Sequence, residues 1–119
     1  MDAIPGTILS SSSLTGNDVV DSHGEKIGSI SELMIDVNHG NVAYAVVSVG
    51  GFLGLGNKLF AVPFSAFTLD TDKHACVLAA GTKENFARAE GFDKDNWPKN
   101  SPDWGKRVHT LWGQRPYWQ

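Results

Sequence analysis

Sulfur chemistry, one-signed charge and long apolar runs are all scarce in this chain. A single cysteine, Cys76, stands among 119 residues. It excludes an internal disulfide and cannot build a thiolate metal centre alone, which fits a reducing compartment. A lone thiol of this kind is expected to be buried packing. The formal net charge is only −3, which disfavours a protein whose task is gripping a polyanion such as nucleic acid. The opening Met1-Asp2-Ala3-Ile4-Pro5-Gly6 has no basic segment followed by an apolar run, so no secretory signal is expected. The uncharged stretch Val42 to Asn57 is too short to span a bilayer and is broken by Gly50, Gly51, Gly54 and Gly56. These absences together point to a cytoplasmic protein without a transmembrane segment, and leave peripheral membrane association open.

What is present is the composition of an ordinary folded domain, 41% hydrophobic and 19% charged, in a chain long enough to bury roughly two thirds of its unfolded surface. Residues 1–13 end in a serine run and carry little apolar periodicity, so they read as a flexible arm. From Leu14 to about Leu78 the pattern is short strands separated by turn chemistry, the signature of a small barrel or sandwich. A first strand lies in "DVVDS". "KIGSISELMIDV" follows as one long bent strand, with Leu33, Ile35 and Val37 alternating against Met34 and Asp36 and a bend or bulge near Gly28 and Ile30. "NHGN" then makes a hairpin turn, with Gly40 at a position that wants left-handed backbone angles. "VAYAVVSV" is apolar on both faces and predicts a central strand covered on both sides. "KLFAVP" is closed by Pro63, which removes a ladder donor. "FTL" and "ACVLA" complete about six strands.

The period changes at "TKENFARAE", a short helix with Thr82 as cap, Glu84 in its first turn and Gly91 to end it, packing Phe86 and Ala89 on the barrel. Beyond it lie all four tryptophans, Trp97, Trp104, Trp112 and Trp118. Residues 93–119 hold five Lys/Arg against three Asp, net +2, leaving −5 on residues 1–92. Within them "PDWGKRVHTLWGQ" predicts a second helix, capped by Asp103, with Val108, Leu111 and Trp112 on one stripe. The division is therefore an arm at 1–13, a barrel at 14–81, and an extension at 82–119 that packs on the barrel or binds a partner.

The segment Leu14 to Phe67 resembles the PRC-barrel family. The residues that carry the likeness are Gly16, V-x-D-x-x-G-E-x-I-G from Val19 to Gly28, I-D-x-x-x-G from Ile35 to Gly40, the apolar strand ending in Gly50-Gly51, and V-P-F-S from Val62 to Ser65. The resemblance implies a compact antiparallel β-barrel, an all-β fold with short helices added only in the extension. It also implies an adaptor rather than a catalyst. Such a barrel supports the quinone sites in the photosynthetic reaction centre H subunit and binds a ribosomal protein in a ribosome-maturation factor. The membrane helix of the one and the preceding domain of the other have no counterpart in these residues, so neither of those jobs is expected.

The glycine-rich "GGFLGLGNK" looks at first like a phosphate loop. That motif needs lysine directly after its second glycine and a helix beginning there, so that backbone N–H groups and the helix dipole face the anion. Here Asn57 follows Gly56, and Lys58 begins a strand. The reading is structural: Gly50 and Gly51 end a strand, and the loop presents Phe52, Leu53 and Leu55 for contact with a second copy of the chain or another protein. Trp97 and Trp104 are expected against the barrel's outside, while Trp112 and Trp118 are candidates for partner contact. The alternative is a small-ligand or lipid-headgroup site at the barrel mouth, with Tyr44 and Lys58 as polar contacts. His23, His39, His74 and His109 share no metal-ligand spacing and read as solvated, and Asp21, Asp36 and Asp70 read as turn caps. No nucleophile has an evident activating partner, so no catalytic residue, metal or cofactor is expected. The expectation is a homodimeric, non-catalytic interaction module with an unidentified protein partner.

Overall fold

The computed structural model describes residues 8–50, 58–78 and 82–119, with only the backbone at 82 and 83. Six strands form one sheet: β1 (Asp18–Val20), β2 (Lys26–Asp36), β3 (Asn41–Val49), β4 (Lys58–Pro63), β5 (Phe67–Asp70) and β6 (Ala75–Leu78). A short helix α1 (Ser11–Leu14) precedes them, a 3₁₀ turn (Phe64–Ala66) joins β4 to β5, and α2 (Thr82–Arg88) and α3 (Pro102–Leu111) follow. Residues 8–13 thus lead into the fold, since α1 buries Leu14. The arm residues 1–7 lie outside the described part.

The closed antiparallel barrel is not what forms. The sheet order is β4-β3-β2-β1-β6-β5 and, among the described residues, the sheet is open, with β4 and β5 at its two edges. It is also mixed: β1 pairs antiparallel with β2 but parallel with β6, Val19 opposite Cys76. Tight turns can join only antiparallel neighbours. β1 and β6 can run parallel because no tight turn joins them: the whole of β2 to β5 intervenes as their connection. The sheet still curls into a half-barrel. One core cluster unites Phe60 and Val62 of β4 with Val19, Cys76 and Leu78, and with Phe67 and Leu69 of β5 at the opposite edge. Each fully buried apolar side chain there contributes about 1.5–3 kcal/mol.

The long bent β2 is present, with register shifts at Ile30/Glu32 and Met34/Ile35 against β3. The irregularity expected near Gly28 is present, but as a bulge within a strand and not as a turn between strands. Gly28 sits inside β2 opposite Val19 and next to a shift in the β1 pairing. A Cβ there would collide with the Ser48 carbonyl oxygen, so the bend of β2 across β3 depends on the missing side chain. β2 also outruns the core it was expected to line: Ile35 and Val37 are 54% and 84% exposed. The hairpin turn is as expected. Gly40 has φ +71°, its N–H donates to the Asp36 carbonyl, and the Asp36 carboxylate accepts from the N–H groups of Asn38 and His39. Asp21 and Asp70 cap their turns in the same way.

β3 is covered on both faces, and what covers the second face is the extension. Ala45 and Val47 face the inner core, whereas Val46 belongs to an outer cluster with Ala61 and Phe92, against which Tyr44, Trp104 and Val108 pack. The helix α3 straddles the β4 edge, because its Trp112 reaches into the inner core beside Phe86 with ring centroids 4.9 Å apart. β4 gains a further partner on that edge, as Leu59 and Phe92 exchange both backbone hydrogen bonds.

The ends of α3 are defined by two local devices. Ser101, not Asp103, is the N-cap: its Oγ accepts from the Trp104 N–H at 3.2 Å, and Pro102 occupies the first helical position. At the other end the Gly113 N–H donates to Thr110 O and the Gln114 N–H to His109 O, with Gly113 at φ +67°, a Schellman arrangement. Gly91 does not act as such a cap for α2. Its role is close packing, since a Cβ there would lie 2.5 Å from Lys58 Cε and 3.0 Å from Phe60 Cε1.

Candidate functional site

The extension creates two features on the described surface. The first is the seam where α2 and α3 meet over β4. Ala61 forms the floor, Ala89 and the side chains of Val108 and Leu111 continue it, and Trp104 walls one end, held edge-on by Tyr44 at 5.3 Å. The hollow has a volume of about 200 Å³. It exists because Ala61 and Ala89 are small where a larger residue would fill it. Arg88, Glu90 and Arg107 stand on its rim and are exposed. The Arg88 guanidinium donates to Asn85 Oδ1 at 3.0 Å. Arg107 has no hydrogen bond or ion pair among the described residues.

The second feature is a clip that fastens the C-terminal residues to the β2–β3 hairpin. The Tyr117 hydroxyl donates to Asp36 Oδ2, across 81 residues of sequence, and His39 Nδ1 lies 2.9 Å from the same oxygen. Next to Tyr117, Trp118 lies over Gly105 and packs against His109 at 5.3 Å. Glycine inside a helix costs about 1 kcal/mol relative to alanine, but a Cβ at Gly105 would sit 2.7 Å from Trp118 Cη2. His109 is not a solvated tail histidine. It is 4% exposed, and its Nδ1 is 2.8 Å from the Gly105 carbonyl oxygen, which fixes the proton on that nitrogen. The fold-back of the tail is a non-local event that covers it.

The clip shifts the titration of both partners. The Tyr117 hydroxyl, together with the backbone and side chain of His39, holds the Asp36 carboxyl below its usual range. Burial and the Asp36 carboxylate push the Tyr117 phenol up to about 12. The signs are opposite. The Asp36 contribution is present above the normal carboxylate range and is lost as pH falls. The Tyr117 contribution is present below the ordinary tyrosine value and is lost as pH rises towards 12. Tyrosinate absorbance of the native protein is expected to show a step near 12. In Tyr117→Phe the step loses the Tyr117 contribution and keeps that of Tyr44, whose phenol burial also pushes up, while NMR shows the Asp36 carboxyl moving back up. An unchanged Asp36 titration in that variant would remove the clip from the account.

The other expected residues fall in different places. Trp112, a candidate for partner contact, is 8% exposed and packed in the inner core, while Trp118 is half-buried in the clip. Trp97, expected to pack, is 39% exposed and covers Phe92 with one face. Phe52, Leu53, Leu55 and Gly51 lie outside the described residues. Gly50 directly follows β3 and is exposed, and Pro63 is the last, buried residue of β4. Tyr44 and Lys58 do not share a barrel mouth. Tyr44 pairs with Pro63 and Lys58 with Val49, placing them at opposite ends of the β3–β4 ladder, roughly 17 Å apart along the strands. Cys76 is 1% exposed, and burial pushes its thiol up, as suits inert packing. Arg107 lies near the tryptophans that the sequence marks for partner contact, but its pairing with Arg88 is not legible there, since nothing local shows that residues 88 and 107 meet.

A curled sheet of six strands, with a strand order that brings its first strand against its last hairpin, defines a small half-barrel class. Residues 6–83, about two thirds of the chain, match the PRC-barrel domain family, and the chain belongs to it. No curated protein matches the chain. Among solved structures it is similar to RimM of Pseudomonas aeruginosa, by its description a 16S ribosomal RNA processing protein. That likeness has 18% identity and a TM-score of 0.42, and it covers 63% of this chain and 45% of the other. The chain therefore spans less than half of that protein's length. The family match ends at residue 83, so most of α2 and all of α3 lie beyond it. No helix among the described residues is long and apolar enough to cross a membrane.

Proposed function

We propose that this chain is a non-catalytic protein-interaction module, a cytoplasmic adaptor of the PRC-barrel type, that receives its partner at the α2–α3 seam. The observation that carries this reading is the size and build of the hollow. At about 200 Å³ it falls below the roughly 300–1,000 Å³ of sites for drug-sized ligands and cofactors; the larger hollow beside the clip, about 340 Å³ between Asn41, Ala43, Ser65 and Tyr117, is more open to solvent. It suits a single large side chain, and interface hot spots commonly consist of such a side chain seated in a desolvated pocket. The separation of Tyr44 from Lys58 weighs against the ligand-binding alternative. Self-association through Phe52, Leu53 and Leu55 belongs to the same proposal.

Photo-crosslinking tests it. With p-benzoylphenylalanine in place of Glu90, which leaves both rim arginines intact, the full chain in its native cells is expected to form discrete adducts that vanish when Ala89→Trp fills the hollow. An adduct of twice the chain mass that is lost in Phe52→Ser, Leu55→Ser identifies a second copy; any other mass identifies a partner. Absence of adducts, or adducts indifferent to Ala89→Trp, would contradict docking at the seam.

A further inference from the structure

The charge around the seam says more about what it takes. We propose that the α2–α3 seam binds an acidic linear segment of a partner protein, one that inserts an aromatic or large aliphatic side chain onto Ala61 and Ala89 and sets a flanking carboxylate on Arg107. This rests on the interaction reading above and adds to it the chemistry of the partner.

Four observations converge on that chemistry. The floor is apolar and small-residue, between β4 and two helices, so the group that enters it loses water contact without meeting a polar partner. Trp104 offers a rigid wall, fixed by Tyr44 behind it. The rim carries two guanidiniums against one carboxylate, a local excess of +1, in a chain whose first 92 residues carry −5. Arg88 is engaged with Asn85 on its own helix, whereas Arg107 is held by no group among the described residues. A guanidinium is a planar, permanently charged fork that matches a carboxylate in a bidentate arrangement. Glu90, on the same rim, disfavours a second carboxylate on its side. The segment that fits therefore has one bulky apolar residue with an acidic neighbour, not a uniformly anionic stretch. Nucleic acid is a poor match on the same grounds, because it would need a continuous basic track and this site has one arginine without a partner among the described residues.

The test uses the intact protein and three capped peptides, acetyl-Glu-Phe amide, acetyl-Gln-Phe amide and acetyl-Lys-Phe amide, with phenylpropionate as a free small carboxylate. Amide and indole chemical shifts are followed by NMR. The glutamate peptide is expected to move the Trp104 indole N–H and the Ala61 and Ala89 amides, and to bind more tightly than the glutamine peptide, with the lysine peptide weakest. Arg107→Glu, an exposed substitution that leaves the fold intact, is expected to weaken the glutamate peptide about tenfold, from loss of one charge pair and its replacement by repulsion. Equal binding of all three peptides, binding of phenylpropionate alone, or no shift at the seam with any of them would overturn the proposal. The crosslinking result separates this failure from the broader one. Partner adducts at position 90 alongside charge-blind peptides leave the adaptor standing and remove only the acidic segment. Loss of both removes the adaptor.

Discussion

Trp112→Ala is expected to destabilise the protein by about 3–5 kcal/mol, whereas Trp112→Phe is expected to cost less than about half of that. The indole of Trp112 is 8% exposed and stacks edge-on with Phe86, which in turn meets Phe60 at 5.1 Å. Removing it opens a cavity at the point where α2, α3 and β4 converge, and a cavity between three elements cannot easily collapse. The phenylalanine variant keeps most of that contact. It also removes the buried indole N–H, which has no hydrogen-bond partner among the described residues. An unsatisfied buried donor carries a penalty of roughly 1–3 kcal/mol, and its removal offsets much of the area lost. Urea titrations of the two variants against the parent decide the matter. Equal losses for alanine and phenylalanine would show that the indole N–H is satisfied and that packing there is specific to tryptophan.

The same contacts make the extension part of the fold. Trp104 and Val108 close the outer face over Val46 and Ala61, while Phe86 and Trp112 close the inner face against Phe60 and Val62. Neither face of β3 and β4 is complete without residues after position 83, where the family match ends. A six-stranded sheet with one face stripped would present a contiguous apolar surface, which soluble monomers rarely do. Shared cores couple the stabilities of the elements that line them, so sheet and extension are expected to unfold together.

Much of the sheet was legible because its information is local. The strand-forming run from Lys26 to Asp36, the Asp36–Gly40 turn and the two-sided run from Val42 to Val49 each specify an element within a few residues. The alternation through Leu33, Ile35 and Val37, by contrast, did not give the buried face, because the register shift at Met34/Ile35 breaks it. The parallel pairing of β1 with β6 was not legible, because a three-residue strand has too few side chains to encode a partner. The cap of α3 could have been read: Ser101 followed by Pro102 is the stronger start signal, and Asp103 belongs in the first turn. The stripe through Val108, Leu111 and Trp112 predicted a buried face but not its depth, and Trp112 proved deeper than Trp97 because α3 crosses the β4 edge. The burial of His109 and the Asp36–Tyr117 clip depend on the chain returning across 81 residues. No local pattern carries that. The seam was hidden for the same reason, since Arg88 and Arg107 become neighbours only when two helices pack on one strand.

Equilibrium urea unfolding followed by two signals on one sample tests the central claim. All four tryptophans lie between residues 97 and 118, so their fluorescence reports on the extension and its contacts, while the native amide NMR signals of Val19, Ile30 and Cys76 report on the sheet. One transition is expected, with coincident midpoints and slopes for both signals. A fluorescence transition complete at lower urea, with the sheet signal still native, would contradict it and make residues 84–119 a separable appendage on a self-sufficient half-barrel.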